Sequence, residues 1–170
     1  MLIQQHINGS NTFNRSWAEY KVGFNDSKGN YWLGNDLLSQ LTVNGSYKLR
    51  FELQLRNHSW YWAEYSSFNV LSEATNYTLL VSGYSGNAGD AFSHHNNMMF
   101  TTYDRDNDLW THVRPDYRNN CATFYDGGGF WYKGCAYCRV NSVRVFHWEQ
   151  LYPTRARSLP LQISRMWLTC

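Results

Sequence analysis

Apolar and polar positions alternate most regularly over residues 47–55, YKLRFELQL. Tyr47 and every second residue after it are apolar, and the residues between them are charged or polar. A period of two places alternate side chains on opposite faces of a strand, so the segment predicts a strand with one buried and one solvent-facing side. RNHS predicts a turn after it, and WYWAEYSSFNV predicts the returning strand of a hairpin.

Helical spacing precedes this hairpin. Trp17, Tyr20 and Phe24 follow at helical spacing after Asn14, a residue type that caps helix N-termini, so NRSWAEYKVGF predicts a short amphipathic helix. DLLSQLT predicts a second, very short helix. Further strands are predicted in NYTLLVSGY, in VRVFHW and in LPLQISRMWL.

Glycines interrupt these patterns in the second half of the chain, at Gly86, Gly89 and 127–129. We therefore expect an α+β fold in one domain. Residues 1–84 and 143–170 are predicted to form a mainly antiparallel, twisted sheet with short helices. Residues 85–142 are predicted to form a loop-rich lobe, and loops held on a rigid scaffold are where binding residues concentrate.

Composition narrows the class of protein. The chain has 170 residues, of which 43% are hydrophobic and 16% charged, with a net charge of +2. That charge is too small to indicate a nucleic-acid or membrane-surface partner, and no apolar run approaches the roughly 18 residues of a membrane helix. The start, MLIQQHINGS, lacks the pattern of a signal peptide, which predicts either an intracellular chain or a start that is a fragment boundary.

Two features favour the secretory route. The four cysteines are an even number, and Cys121 and Cys135 can close a short loop in an oxidising compartment; four reduced thiols in a cytosolic protein are the alternative. The other feature is a mild excess of N-x-[ST] glycosylation sequons, at Asn8, Asn14, Asn25, Asn44, Asn57 and Asn76.

The lobe contains three carboxylates at alternate positions, Asp104, Asp106 and Asp108. An EF-hand loop is excluded, because its glycine and glutamate positions hold Leu109 and Pro115. Short Asp-x-Asp loops still bind Ca²⁺ through carboxylates and backbone carbonyls. The alternative is a solvated turn in which Asp and Asn cap their own backbone.

Cys135 and Cys138 form a C-x-x-C motif, the spacing of a redox pair or of half a zinc site. No second metal-binding half and no βαβ pattern accompany it, so a bond between Cys121 and Cys135 is the simpler interpretation. Four aromatic residues lie between these cysteines. They indicate either a cradle for a sugar or small apolar group or the cap of a satellite core: Tyr125, Phe130, Trp131 and Tyr132.

No sequence motif of catalysis is present. The chain contains no G-x-S-x-G, H-E-x-x-H or Walker-type loop. Its histidines are the kind that are usually exposed or satisfied within a core. We therefore predict that the chain is not an enzyme.

Several long stretches together resemble the fibrinogen C-terminal domain family. WAEYKVGFNDSKGNYWLGNDLLSQLT resembles the family pattern W-x-x-Y-x-x-G-F…W-L-G-N…L-T. YSGNAGDAFSHHNNMMFTTYDRDND is similar to Y-S-G-x-A-G-D…D-x-D-N-D, and NNCATFYDGGGFWYKGCAYCRVN to N-C-A…G-x-W-W-Y-x-x-C-H. The likeness covers residues 3–148 and 159–168, and its motifs are closest to ficolin- and tachylectin-like lectins.

The resemblance implies a calcium loop with Asp104 and Asp106 as side-chain ligands, and with Asp108 and Trp110 as carbonyl ligands. It also implies a disulfide and a cis peptide in the cysteine loop. The disulfide joins Cys121 to Cys135, and the cis peptide links Gly134 to Cys135.

The resemblance further implies a ligand pocket beside the calcium loop. Tyr125 matches a tyrosine of acetyl-binding members, and Phe130, Trp131 and Tyr132 match the W-W-Y element. Ala136 stands where the family has a histidine. The family's N-terminal subdomain is missing, and about ten residues that supply another pocket tyrosine are missing after residue 141. The calcium loop thus matches the family, whereas the acetyl pocket is incomplete.

The function implied is that of a secreted, calcium-dependent recognition domain for glycans or acetylated groups, as in innate-immune lectins. The alternative is a protein-binding module of the angiopoietin or tenascin kind, without lectin activity. The expected partners are N-acetylated ligands and glycans, or an extracellular protein receptor. Nucleic-acid binding and membrane insertion are not expected. Homo-oligomerisation is expected, if at all, in the full-length protein.

Overall fold

The computed structural model describes residues 1–7, 11–111, 119–143, 147–151 and 161–170. Seven strands form one antiparallel sheet in the order β2-β3-β1-β9-β4-β5-β6, and β7 pairs separately with β8. The strands are β1 (Leu2–Ile7), β2 (Phe24–Asn25), β3 (Tyr31–Trp32), β4 (Tyr47–Leu55), β5 (Trp60–Val70), β6 (Leu79–Gly86), β7 (Cys138–Arg139), β8 (His147–Trp148) and β9 (Leu161–Thr169).

The hairpin of β4 and β5 lies where the alternating pattern predicts it. Leu49, Phe51 and Leu53 on β4 are fully buried, whereas Arg50 and Glu52 between them are about one-third exposed. Phe51 pairs with residue 63 of β5 in antiparallel register. The apolar side chains of β4 therefore form one wall of the core, and the predicted α+β fold is confirmed.

β9 lies between β1 and β4, so the last described strand is central in the sheet. The sequence predicts that strand but not β1, because β1 buries polar side chains. Gln4 and His6 are fully buried, and the Gln4 amide lies 3.0 Å from the Asn141 side chain and 2.9 Å from Ser164 Oγ. Because these buried positions hold polar side chains, the segment lacks the alternation of apolar and polar residues that predicts a strand.

Three helices are described: α1 (Trp17–Val22), α2 (Asn35–Thr42) and α3 (Cys121–Phe124). The cap of α1 is Ser16, which corrects the assignment of Asn14. Ser16 and Glu19 form a capping box, in which each side chain accepts the other residue's backbone N–H. Single 3₁₀ turns span Asn11–Phe13, Glu73–Thr75, Ser93–His95 and Glu149–Leu151.

The described part of the lobe has few regular elements, but it shares the core of the sheet. The Phe92 ring lies 4.9 Å from the Phe51 ring and packs against Phe130 and Trp131. Trp148 of β8 also lies 4.9 Å from Phe51. The division into two subdomains stays a prediction, and residues 144–146 of the strand predicted in VRVFHW lie outside the described residues.

Candidate functional site

The acidic loop, residues 104–108, is attached to α1 by its first carboxylate. Asp104 Oδ1 accepts hydrogen bonds from the Trp17 backbone N–H at 2.9 Å and from the Thr102 hydroxyl at 2.7 Å. Trp17 is the first residue of α1, where the helix dipole and the free N–H groups favour a negative charge. The Asp104 charge is therefore already stabilised by the protein itself.

The other two carboxylates are arranged differently. Asp106 is exposed and accepts the Asp108 N–H at 3.2 Å. Asp108 is half-buried and accepts the N–H groups of Trp110 at 2.8 Å and Cys121 at 2.7 Å. Burial, reinforced by the negative charge of Asp106, raises the pKa of Asp108 to about 6 despite these hydrogen bonds. The loop thus holds an electrostatically unfavourable carboxylate pair.

The chemistry of these residues fits a hard cation. Carboxylate and carbonyl oxygens are the ligands that Ca²⁺ prefers, and a divalent cation would relieve the repulsion between Asp106 and Asp108. Within the described parts of the chain, however, no group of three or more His, Cys, Asp or Glu side chains is placed to hold a metal. Calcium binding by Asp104, Asp106, Asp108 and Trp110 therefore stays a prediction.

The cysteine loop, residues 121–135, is closed by a disulfide between Cys121 and Cys135, as predicted. The peptide bond between Gly134 and Cys135 is cis, as the resemblance implied. Cys138 is a buried free thiol, and burial raises its pKa well above the usual value. The structure therefore excludes the Cys135–Cys138 pairing, while Cys170 is an exposed free thiol.

Three of the four aromatic residues in this loop belong to the core. Phe130, Trp131 and Tyr132 are 0% exposed. The Trp131 indole N–H donates to the Tyr77 carbonyl at 2.8 Å, and the Tyr132 hydroxyl donates to the Gly128 carbonyl at 2.6 Å. Their assignment as ligand contacts is corrected on this ground, because a fully buried ring offers no face to a ligand.

Tyr125 remains partly exposed at the side of the lobe. The Arg139 guanidinium lies 4.4 Å from the centre of its ring, and the ring of Phe124 packs beside it. Ala136 is half-buried and packs against the core. Ligand contact by Tyr125 and Ala136 stays a prediction.

His95 joins segments of the lobe, a role that no sequence motif predicts. Its Nδ1 lies 2.7 Å from the Trp131 carbonyl, and its Nε2 accepts the N–H groups of Tyr137 and Cys138 at 3.3 and 3.4 Å. Complete burial lowers the pKa of His95 to about 3. The neutral ring therefore joins two segments of the lobe.

A mixed apolar and basic surface lies next to His95. The His94 ring stacks on the Tyr137 ring at 3.7 Å, and the charge of Lys133 contributes to lowering the pKa of His94, after burial. The Leu109 N–H donates to the Lys133 carbonyl at 2.7 Å. We call these four residues the lobe edge: His94, Leu109, Lys133 and Tyr137. Leu109 is 55% exposed and Tyr137 46%.

Five of the six sequons are described, and Asn8 lies outside the described residues. Asn14, Asn25, Asn44 and Asn57 are exposed. Asn76 is half-buried, with its amide N–H₂ against Met99 Sδ at 3.2 Å and its oxygen accepting from Arg105 at 2.7 Å. Glycosylation at these residues stays a prediction. No helix among the described residues is long and apolar enough to cross a membrane.

Comparisons with known proteins identify the family. The family model of the C-terminal globular domain of fibrinogen beta and gamma chains matches residues 1–156. Fibrinogen-like protein A from Apostichopus parvimensis is 41% identical over 144 residues, which cover 82% of this chain and 48% of that protein. The chain spans less than half the length of the curated relatives that it matches.

Solved structures share the fold. The fibrinogen-like globe domain of human ANGPTL2 has a TM-score of 0.86 and 36% identity, over 99% of this chain and 78% of that chain. Lamprey fibrin D-dimer, complexed with the peptide Gly-His-Arg-Pro-amide, has a TM-score of 0.81 and 26% identity, over 98% of this chain and 60% of that chain. The chain belongs to the family of fibrinogen C-terminal globular domains, which are binding modules and not enzymes.

Proposed function

We propose that this chain is an extracellular recognition domain for proteins, and that the lobe edge makes the contact. The observation that carries the proposal is the exposure of Leu109 and Tyr137 beside the acidic loop. Exposed apolar and aromatic side chains on a fixed backbone are typical anchors of protein interfaces. The peptide held by lamprey fibrin supports a peptide or protein ligand for a domain of this fold.

The backbone under the lobe edge is held in place by several contacts. The Lys133 N–H donates to the Cys135 carbonyl at 2.8 Å, while its carbonyl accepts from Leu109. The disulfide fixes Cys135 to the start of α3. A surface that is already ordered loses less entropy on binding, so this arrangement favours recognition by a preformed surface.

We propose calcium as the cofactor of this lobe, with Asp106 and Asp108 as the carboxylate pair. Asp104 is the less suitable carboxylate, because its charge already stabilises the N-terminus of α1. Asp108 has a raised pKa and lies beside a second negative charge. The carbonyl of Trp110 remains a candidate backbone ligand.

Glycans or acetylated groups are the second candidate ligand. Tyr125 favours them, since its ring is partly exposed and the guanidinium of Arg139 lies over the ring, 4.4 Å from its centre. Burial of Phe130, Trp131 and Tyr132 removes the rest of the expected cradle. For this reason the protein partner is preferred. The disulfide and the four exposed sequons support secretion.

A panel of extracellular receptor ectodomains and an array of acetylated glycans, each screened with Ca²⁺ and with chelator, separates these candidates. We expect an ectodomain to bind, and we expect Leu109→Ser with Tyr137→Ala to weaken its binding at least about tenfold. Tyr103→Ala, which removes another exposed aromatic ring, is the matched control. The proposal would be contradicted if the chain bound only acetylated glycans, or if the lobe-edge variants bound an ectodomain as tightly as the wild type.

A further inference from the structure

Arg105 lies in the middle of the acidic loop, but its side chain contacts α1 and the 3₁₀ turn that begins at Glu73. Its guanidinium lies over the Trp17 ring, 4.0 Å from the ring centre. Its Nη2 donates to the Asn76 side-chain oxygen at 2.7 Å, and its Nη1 lies 3.8 Å from the Glu73 carboxylate. One side chain of the acidic loop is thus held by three residues outside the loop.

The residues that hold this guanidinium are themselves fixed. The Trp17 indole N–H donates to the Glu73 carboxylate at 2.8 Å, and Lys21 of α1 pairs with the same carboxylate. The Trp17 ring is buried and lies 5.3 Å from the Tyr77 ring. A planar guanidinium can stack on an aromatic ring and donate hydrogen bonds at the same time. The Arg105 side chain therefore meets partners whose positions are already set.

The backbone of Arg105 closes a turn at the start of the acidic loop. Its N–H donates to the Thr102 carbonyl at 3.2 Å, and its carbonyl accepts the Thr102 N–H at 3.0 Å. Thr102 is fully buried, and its carbonyl also accepts the Asn120 side-chain N–H at 2.9 Å. Arg105 is therefore attached through both its backbone and its side chain, immediately before Asp106.

The same contacts pair the positive charge of Arg105 outside the acidic loop. Among the ion pairs of the described residues, Arg105 pairs with Glu73 and with no carboxylate of the acidic loop. An arginine that bridged Asp106 and Asp108 would compete with a bound cation for the same oxygens. The arrangement instead leaves both carboxylates without competition from this guanidinium.

We propose that Arg105 is a positioning residue for calcium, which orders the acidic loop so that Asp106 and Asp108 can act together as ligands. This inference rests on the proposed calcium site and adds a residue outside the set of ligands. Groups that orient metal ligands from outside the coordination shell typically contribute about 10–100-fold to metal affinity. Loss of Arg105 should therefore weaken calcium binding, although it removes a positive charge.

Calorimetric titration of the whole chain with CaCl₂ tests this role, because charge and positioning predict opposite signs. Arg105→Gln removes a positive charge from the acidic loop, so charge alone would tighten the binding of a cation. Positioning predicts that the dissociation constant rises by about tenfold or more. Arg105→Lys keeps the charge but lacks the planar guanidinium that stacks on Trp17 while it donates to Asn76, so it should weaken binding as well.

Hydrogen exchange in chelator measures the order of the loop separately from calcium binding. Residues 101–111 should exchange faster in Arg105→Gln than in the wild type, and β4 and β5 should not change. Arg50→Gln is the matched control, because the Arg50 guanidinium makes the same kinds of contact on the sheet, 4.6 Å from the centre of the Trp62 ring and 3.6 Å from Glu64. This control should keep the wild-type calcium affinity and the wild-type exchange of the loop.

Four results would overturn the inference. Calcium binding by Arg105→Gln that equals or exceeds that of the wild type would do so, as would full binding by Arg105→Lys. Weaker binding without faster exchange would mean that the loop is ordered without Arg105. If the wild type binds no calcium, the proposed calcium site fails and this inference fails with it, whereas unaffected variants of a wild type that binds overturn the inference alone. If Arg105→Gln does not fold, Arg105→Lys decides the outcome.

Discussion

The sheet and the lobe bury their residues by different means. In the sheet, Leu49, Phe51 and Leu53 enter the core through a repeating pattern, and long ladders of backbone hydrogen bonds connect the strands. In the lobe, single contacts between distant segments replace that repetition: the Asp104 carboxylate, the His95 ring and the disulfide. The hydrogen bonds of the sheet therefore repeat along its strands, whereas these contacts of the lobe join distant segments one at a time.

Phe51→Ala tests the shared core and should have the largest effect. Phe51 packs against Phe92 of the lobe and against Trp148 of β8, so its loss creates a cavity at the junction of both regions. We expect the free energy of unfolding to fall by about 3–5 kcal/mol. Urea unfolding followed by circular dichroism and by Trp fluorescence measures this change, and a loss below about 1 kcal/mol would show that the two regions have separate cores.

Replacing Cys121 and Cys135 by serine should affect the lobe more than the sheet. The two cysteines are 14 residues apart, and opening a loop of that length costs about 3 kcal/mol. Hydrogen exchange should rise in residues 119–135 and stay low in β4 and β5. Cys170→Ser, which removes an exposed free thiol, is the control; equal stability of the double variant and this control would contradict the prediction.

Mild acid should weaken the lobe through His95. Burial lowers its pKa to about 3, below the ordinary 6.5, so the unfolded chain binds a proton that the folded chain excludes. Stability is therefore present above pH 6.5 and falls as the pH decreases, by about 2 kcal/mol between pH 7 and pH 5 for this histidine. His6, with a pKa lowered to about 4 by burial, adds a loss of the same sign in the sheet.

The His95→Gln variant separates the two contributions. Its urea unfolding at pH 7 and pH 5 should show about 2 kcal/mol less pH dependence than the wild type. His58→Gln, at an exposed turn, should keep the full dependence. An unchanged dependence in His95→Gln would place the acid sensitivity elsewhere.

Asp104→Asn should have the smallest effect, because one cap and one charge interaction are altered. Weakening the acceptor at the start of α1 should lower stability by about 1 kcal/mol, and the loss should not depend on calcium. Thermal melting of Asp104→Asn and of wild type in chelator measures this difference. Identical melting would mean that the bond to Trp17 contributes nothing to stability.

The sheet was predictable where a residue's neighbours along the chain decide its position. The alternation of apolar and polar residues around Phe51 is sufficient to predict β4. The sequence does not predict β1, because the buried amide of Gln4 donates its hydrogen bond to Asn141, 137 residues away. The sequence predicts the cap of α1 at Asn14, two residues early, since both Asn14 and Ser16 suit that position and only Ser16 is matched by Glu19 three residues later.

The candidate site was predictable only in part. Family motifs identified the Cys121–Cys135 pair, since motif order preserves such pairings. They do not predict that the Asp104 carboxylate accepts the backbone N–H of Trp17 at the start of α1, 87 residues away. Nor could they reveal that Trp131 is buried, because its indole N–H bonds to Tyr77, 54 residues away. These assignments depend on packing between distant segments, which no local pattern records.

Hydrogen exchange followed by mass spectrometry, with Ca²⁺ at about 1 mM and with chelator, tests the proposed calcium site of the lobe most directly. We predict that Ca²⁺ slows exchange in residues 101–111 and 119–125 and leaves β4 and β5 unchanged. Asp106→Asn should abolish this protection, and Glu149→Gln, an exposed acid elsewhere in the chain, should retain it. Identical exchange of the lobe with Ca²⁺ and with chelator would contradict the account.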